Sequence, residues 1–281
     1  MEVNMILDEI AARTRERIAQ CRKELPLEAL KEQALRLPSD TGFPFAGALK
    51  GKELQFICEV KRASPSKGVI AEQFPHREIA KEYEQSGAAA ISVLTEPYWF
   101  QGSNAYLKEI AQTVRIPVLR KDFTVDEYMI YEAKVLGADA VLLICAILND
   151  DELIRCHALA ESLGLSALVE VHDEDEARRA LAAGAKIIGV NNRNLRDFTV
   201  DISNSLRIRP MIPEDIIFVS ESGMRTEADI QELRKNGTDA VLIGETLMRS
   251  ADKKEMLARL RAGNCETPKK IRTMKGERVN E

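Results

Sequence analysis

The stretch LGADAVLL, at residues 136–143, decides the fold. Its glycine follows an amphipathic segment and suits the left-handed position that closes a helix, while the apolar run just beyond it is typical of a strand. The same pattern recurs as SGAAAISV (86–93), AGAKIIGV (183–190) and NGTDAVLI (236–243). A helix that passes through glycine into a buried strand is the repeating unit of an α/β fold, so the sequence predicts alternating helices and strands.

Eight short apolar runs of strand type follow one another at a mean interval of roughly 26 residues. They span residues 56–61, 89–96, 116–121, 139–145, 166–171, 186–191, 215–221 and 239–245. Each is nearly continuous in apolar residues, as expected of parallel strands that are covered on both faces. An open doubly wound sheet is the alternative, but eight similar crossovers without a dinucleotide-binding loop favour closure. The predicted fold class is therefore α/β, a (β/α)₈ TIM barrel.

The predicted barrel, residues 51–263, is flanked by two segments of different character. Residues 1–50 begin with apolar residues at helical spacing among many charges, which predicts an N-terminal helical extension packed on the barrel. Residues 264–281 are polar and without periodicity, which predicts a flexible tail.

Composition excludes several classes of protein. The chain has 45% hydrophobic and 30% charged residues, and its net charge of −5 argues against broad binding of nucleic acid. No apolar run approaches the ~18 residues that a membrane helix needs. The five cysteines form no CxxC pair and the three histidines have no metal-ligand spacing. We therefore predict reduced thiols, no metal, a location in the cytoplasm, and no binding to membranes or nucleic acid. The sequence does not indicate an oligomeric state, and a monomer is the default expectation.

Polar residues stand where the predicted strands end. In a parallel barrel the carboxyl ends of the strands form the catalytic face. Alternation along the first strand places Glu59 and Lys61 on the same side, where both can reach the barrel mouth. The polar segments are Glu59-Val60-Lys61, Arg120-Lys121-Asp122, Glu170-Val171-His172, Asn191-Asn192-Arg193 and Ser220-Glu221-Ser222-Gly223.

Three of these residues, Lys61, Lys121 and Glu170, together predict acid–base chemistry. Ionised groups in apolar strands are costly to bury unless they are paired, so several of them imply a cluster whose members tune one another's pKa. A salt-bridge network that only stabilises the fold is the alternative for any one of them. Asp122 and Glu221 can equally serve to orient a neighbouring side chain.

The last two predicted strands lead into a candidate phosphate site. Ser222-Gly223 follows the seventh strand and Gly244-Glu245 follows the eighth, the layout in which backbone N–H groups of a barrel often bind phosphate. After the first strand, KRASPSKG (61–68) predicts a turn that is either a mobile lid or a surface loop. Trp99-Phe100 either packs on a flat substrate ring or on the neighbouring loop.

Seven motifs, taken in order, resemble those of the indole-3-glycerol-phosphate synthase family and cover nearly the whole barrel. They are EVKRASPSKG (59–68), LTEPYWFQGS (94–103), LRKDF (119–123), LVEVH (168–172), IGVNNRNL (188–195), SESGM (220–224) and LIGETLMR (242–249). The resemblance implies a carboxy-lyase of tryptophan biosynthesis. It would convert 1-(2-carboxyphenylamino)-1-deoxyribulose 5-phosphate to indole-3-glycerol phosphate, with loss of CO₂ and water and without a cofactor.

The resemblance also implies roles for individual residues. Lys121 would be the general acid of ring closure, Lys61 would neutralise an anionic group and act in the later dehydration, and Glu170 would be the base. The remaining residues would position groups or bind substrate; they are Glu59, Asn191, Ser64, Arg193, Ser222, Gly223, Gly244 and Glu245. Some family members carry Ser at the position of Glu245, so phosphate binding here requires that Glu245 contributes its backbone N–H and turns its carboxylate away.

Two other classes of function remain open on sequence alone. One is another phosphate-binding barrel enzyme, such as phosphoribosylanthranilate isomerase or a sugar-phosphate epimerase. The other is a barrel that binds a phosphorylated ligand without turnover. The set of Lys61, Lys121 and Glu170 argues against a pure binder, which has no need of a base opposite two acids.

Overall fold

A computed structural model describes residues 5–194 and 197–263. Eight parallel strands form a closed barrel in which β1 pairs with both β2 and β8. The predicted (β/α)₈ class is therefore confirmed. The strands are β1 Gln55–Val60, β2 Ala90–Leu94, β3 Val118–Lys121, β4 Ala140–Ile144, β5 Ser166–Val171, β6 Ile187–Asn191, β7 Ile217–Glu221 and β8 Ala240–Ile243.

Helices surround the barrel and also precede it. The first three are α1 Met5–Glu24, α2 Leu27–Leu35 and α3 Pro44–Leu49. The others are α4 His76–Gln85, α5 Asn104–Ala111, α6 Glu127–Leu136, α7 Asp150–Ser162, α8 Glu174–Ala182, α9 Ser203–Ile208, α10 Glu227–Lys235, α11 Glu245–Arg249 and α12 Lys253–Ala262. The predicted tail, residues 264–281, lies outside the described residues, and the proposed boundaries at 50 and 263 stay predictions.

The recurring glycines sit at the junctions that the sequence predicts. Gly87, Gly137, Gly184 and Gly237 have φ angles of +82° to +88°, and each follows the end of a helix and precedes a strand. Only glycine adopts this left-handed backbone without steric cost. The four glycines therefore set the chain direction from helix into strand in half of the barrel's units.

The apolar core has two parts. One fills the space between the barrel and its surrounding helices, and the other fills the barrel interior. The interior part includes residues of the N-terminal extension, namely Leu7 and Ile10 of α1 and Phe45 and Leu49 of α3, all of which are buried. The extension therefore belongs to the same core as the strands.

Asp122 ties α1 to the barrel. Both oxygens of its buried carboxylate accept hydrogen bonds from Arg17 of α1, at 2.8 and 3.0 Å, and Thr95 donates to Oδ2 at 2.6 Å. Arg120 Nη2 lies 3.6 Å from Oδ2. Burial alone raises the pKa of Asp122, but the charges of Arg17 and Arg120 outweigh it and hold the pKa below its usual value. Asp122 thus has the orienting role that the sequence left open.

We expect Asp122→Asn to lower the free energy of unfolding at pH 7 by about 3 kcal/mol, because it removes one member of a buried ion pair. The folded-state pKa lies below the unfolded value of about 3.9, so this stabilisation is present above that value and is lost as the pH falls through the folded pKa. Urea unfolding should show that the difference in free energy of unfolding between Asp122→Asn and the wild type becomes smaller below about pH 4. The exposed Asp40→Asn is the control, and equal stability of both variants at pH 7 would contradict the prediction.

Candidate active site

A cavity of about 400 Å³ lies at the carboxyl ends of the strands. Every residue to which the family resemblance assigns a role lines it, although these residues come from six separate segments of the chain. They are Glu59, Lys61, Ser64, Lys121, Glu170, Asn191, Arg193, Ser222, Gly223, Gly244 and Glu245. Closure of the barrel therefore brings the whole proposed set to one place.

Lys121, the last residue of β3, is at the centre of the charged part of the cavity. Its Nζ donates to Glu170 Oε2 at 2.9 Å and lies 3.5 Å from Glu221 Oε2. Both carboxylates are almost fully buried, and Asn191 Nδ2 donates to the other oxygen of Glu170 at 3.2 Å. The four side chains form one connected cluster from β3, β5, β6 and β7.

The charges in this cluster follow from burial and mutual contact. Burial alone lowers the pKa of Lys121, but Glu170 and Glu221 outweigh it and raise that pKa, so Lys121 is an ammonium at neutral pH. Burial would raise the pKa of Glu170, but Lys121 and His172 lower it. Burial raises the pKa of Glu221 to about 8, with the charge of Lys121 opposing and that of Glu170 adding. Lys121 is thus the cation shared by two buried carboxyl groups, of which Glu221 has the raised pKa and Glu170 the lowered one.

Glu221 is the member of this cluster that the sequence analysis did not place among the candidate site residues. Its signal is its position, since it ends β7 with its side chain directed to the cavity, as Glu170 does from β5. Gly189 of β6 leaves room for it, because a Cβ at that position would collide with Glu221 Oε1. Both features can be recognised only when the neighbouring strands in the barrel are known.

Glu59 and Lys61 form a second pair, as their predicted common face requires. Lys61 Nζ lies 2.7 Å from Glu59 Oε1, and both side chains are largely buried. Gly244, which follows β8, packs directly against this pair. A Cβ at position 244 would collide with Glu59 Oε1 and lie 3.0 Å from Lys61 Nζ. The glycine therefore lets the loop after β8 approach the first strand closely.

The loops after β7 and β8 form the side of the cavity predicted to bind phosphate. Ser222 and Gly223 both have positive φ angles, +67° and +98°, which turn the backbone sharply after β7. The carboxylate of Glu245 does not turn away from this side of the cavity, as the sequence analysis required for phosphate binding, but lies among three cations. Its oxygens are 3.4 Å from Arg193, 3.3 Å from Arg249 and 3.9 Å from Lys67. Lys67 and Arg193 come from the loops after β1 and β6 and Arg249 from the end of α11, and they give this side of the cavity a concentration of positive charge.

The opposite part of the cavity is apolar, and α1 contributes to it. Its residues are Ile6, Leu7, Ile10, Leu94, Phe100, Phe123, Leu142 and Ile144. Phe100 is the aromatic residue of the LTEPYWFQGS motif that faces the cavity, and its backbone N–H, like that of Trp99, donates to the buried carboxylate of Glu96. A flat apolar group can lie on this wall while its charged substituents reach the lysines.

Fold and site together define a class, the (β/α)₈-barrel enzymes that carry out acid–base chemistry on a phosphorylated small molecule. Within that class the chain belongs to the indole-3-glycerol phosphate synthase family, whose family model matches residues 7–260. The predicted family, function and enzyme class, a decarboxylating lyase of tryptophan biosynthesis, are confirmed with it.

Several relatives match over nearly their full lengths. The chain is 58% identical to indole-3-glycerol phosphate synthase of Ruminiclostridium cellulolyticum over 257 residues, which cover 92% of this chain and 99% of the relative. It is 53% identical to the enzyme of that name from Endomicrobium trichonymphae, with 92% and 100% of the two chains covered.

Similarity to solved structures at low identity extends to the fold alone. The crystal structure of 3-hexulose-6-phosphate synthase from Salmonella typhimurium superposes with a TM-score of 0.62 at 13% identity, covering 75% of this chain and 98% of the other. Thiamine phosphate pyrophosphorylase from Pyrococcus furiosus gives 0.58 at 19% identity, with 75% and 96% covered. Within residues 5–194 and 197–263, no helix combines the length and apolar character that a membrane crossing requires.

Proposed function

We propose that this chain converts 1-(2-carboxyphenylamino)-1-deoxyribulose 5-phosphate to indole-3-glycerol phosphate, CO₂ and water, with Lys121 as the general acid and Glu170 as the general base. The observation that carries the assignment is the contact between them. A lysine whose Nζ lies 2.9 Å from one buried carboxylate and 3.5 Å from another is held protonated and fixed in direction at the mouth of the barrel.

In the ring-closure step, the aromatic carbon attacks the substrate's ketone and the ketone oxygen takes a proton. Lys121 is the group placed to give that proton, because it is an ammonium at neutral pH whose side chain is largely buried at the mouth of the barrel. Its charge also stabilises the developing alkoxide before the proton moves. Release of CO₂ then restores the aromatic ring.

The dehydration step needs an acid for the leaving hydroxyl and a base for the ring proton. Glu170 is a carboxylate at neutral pH and is oriented at both oxygens, by Lys121 and by Asn191, which suits a base. Lys61 is the second ammonium of the cavity and is proposed to assist the hydroxyl that leaves as water. Glu59, 2.7 Å away, positions Lys61.

Substrate binding is assigned to the two sides of the cavity. The phosphate is proposed to bind backbone N–H groups at Ser222, Gly223 and Gly244, with the guanidinium of Arg193 and the hydroxyl of Ser64 nearby. Glu245 is proposed to contribute its backbone N–H. The aromatic ring is proposed to lie on the apolar wall, so that its carboxylate and the ketone face the lysines.

We further propose that the enzyme works as a monomer in the cytoplasm, without a cofactor. The acid, the base and the phosphate-binding loops all come from one chain, so that the site does not need a second copy to be complete. Four cysteines in the described residues, Cys21, Cys58, Cys145 and Cys156, are free thiols, which suits a reducing compartment.

The direct test is to mix purified protein with the carboxyphenylamino-deoxyribulose phosphate in buffer with a chelator and no nucleotide. We expect indole fluorescence and CO₂ to appear in equal amounts over many turnovers. Binding of the substrate without either product would reject the proposed reaction in favour of a phosphorylated-ligand binder. Neither binding nor turnover would redirect the search to other phosphorylated substrates.

A further inference from the structure

His172 stands directly behind the proposed base but outside the main cavity. It follows β5 and lines a second, polar cavity of about 500 Å³, which shares Asn191 and Arg193 with the first. Exposed residues such as Asp173 and Asp201 also line this second cavity, so it is open to solvent. His172 therefore lies between Glu170 and water.

The position of His172 is fixed at three points. Its backbone N–H donates to Glu176 Oε2 at 2.7 Å, and its Nδ1 lies 3.1 Å from the same oxygen. Its backbone carbonyl accepts from Asn204 Nδ2 at 3.0 Å, and that amide also donates to the carbonyl of Asn191 at 3.2 Å. Asn204 thereby joins the ends of β5 and β6, which carry Glu170 and Asn191.

The contacts of the ring define its protonation. Glu176 as a carboxylate only accepts, so Nδ1 carries a proton. Nε2 is buried, makes no hydrogen bond within the part of the chain that the structure describes, and lies 3.5 Å from Glu170 Oε1. A neutral ring would place the lone pair of Nε2 next to a carboxylate oxygen, whereas an imidazolium places a positive charge 3.5 Å from that oxygen. The arrangement is favourable when His172 is an imidazolium between two carboxylates.

The charges around His172 also favour its protonated form. Burial lowers the pKa of His172, but the hydrogen bond to Glu176 and the charges of Glu170, Glu176 and Glu221 outweigh it, so that the pKa is raised. The charged groups that face the ring or share its cavity are Glu170 of β5, Asp173 and Glu176 at the start of α8, Glu221 of β7, and Arg193 and Asp201 after β6.

We propose that His172 is a positioning residue for Glu170: as an imidazolium it holds Glu170 Oε1 together with Asn191, while Oε2 stays with Lys121. When His172 loses the proton on Nε2, Glu170 Oε1 loses the positive charge beside it and has a nitrogen lone pair next to it instead. The base is then less well oriented, and kcat falls on the alkaline side of the His172 pKa. The inference rests on the proposed role of Glu170 as the base.

The first test measures the contact without any turnover. A side-chain NMR titration follows the three histidines, assigned with His76→Gln and His157→Gln. We expect His172 to titrate above the ordinary value of about 6.5. In the Glu170→Gln variant the pKa of His172 should fall, whereas the pKa of His157 should remain unchanged. A His172 pKa that does not respond to Glu170→Gln would overturn the proposal.

The second test is the pH profile of kcat in His172→Gln and Glu176→Gln. Gln at position 176 can still accept from the backbone of His172 but lacks the charge, so the alkaline fall should move to lower pH. His172→Gln should remove that fall and lower kcat about 10-fold with KM unchanged, because the contact orients the base and does not bind substrate. An unfolding temperature equal to that of the wild type would confirm that both variants are folded.

The matched control is His157→Gln, because His157 also faces a glutamate four residues later, Glu161, but on α7 and away from both cavities. It should leave the profile unchanged. A uniform loss of kcat in the His172 variant, with the alkaline fall preserved, would indicate a structural role and overturn the proposal. If Glu170→Gln keeps full turnover, the assignment of the base fails instead, whatever the NMR titration shows.

Discussion

Lys121→Ala is expected to lower kcat roughly 1000-fold, within the range by which a positioned general acid and its charge accelerate such a step. Without the ammonium, the ketone oxygen loses its proton donor during ring closure, so release of CO₂ and formation of indole-3-glycerol phosphate should slow together. Binding of substrate should persist, because the phosphate loops and the apolar wall are unchanged. Indole fluorescence gives the rate and calorimetry gives the affinity.

Two further variants separate the causes of that loss. Lys121→Arg keeps the positive charge but cannot donate its proton, so it should remain strongly impaired if proton transfer is required. Lys186→Ala is the control, because Lys186 is exposed and pairs with Glu161 on the outer surface. Wild-type turnover in Lys121→Ala would refute the proposed role of this lysine.

Glu170→Gln is expected to separate the two halves of the reaction. Gln is similar in shape but cannot take the ring proton, so dehydration should slow by about 100-fold or more while ring closure and decarboxylation proceed. In a single-turnover experiment CO₂ should appear in one stoichiometric burst, and indole fluorescence should lag far behind it. CO₂ is expected before indole fluorescence because Lys121 acts in ring closure, before the base is needed for dehydration.

The control for this variant is Glu109→Gln, since Glu109 is half exposed and pairs with His76 on the barrel's outer side. If CO₂ and fluorescence rise together at the wild-type rate in Glu170→Gln, Glu170 is not the base. If neither appears, Glu170 is needed earlier, through its contact with Lys121.

The strands were predictable because their signals are local. The predicted run 166–171 coincides with β5, and the predicted run 56–61 differs from β1 by one residue at each end. Continuous apolar segments bounded by glycine and polar residues carry this information without reference to the rest of the chain. Alternation along β1 also correctly placed Glu59 and Lys61 together, because it concerns one strand only.

What the sequence did not indicate depends on contacts between distant segments. The partnership of Glu221 with Lys121 requires that strands β3 and β7, about a hundred residues apart, face each other across the closed barrel. The contribution of Leu7 and Ile10 to the cavity requires knowledge of how α1 packs. The direction of the Glu245 carboxylate depends in part on Lys67 and Arg193, which come from two distant loops that no local pattern brings together.

The pairing of β1 with β8 has a consequence for how the protein is made. On the ribosome, the first strand emerges well before its second neighbour, about 180 residues later, and until then both borders of the growing sheet are unpaired. Gly244, which accommodates the Glu59–Lys61 pair, is also among the last parts of the barrel to be translated. A nascent chain that stalls before β8 therefore has its acid and base residues but neither a closed sheet nor a finished pocket, and it exposes open edges for which chaperones and proteases compete.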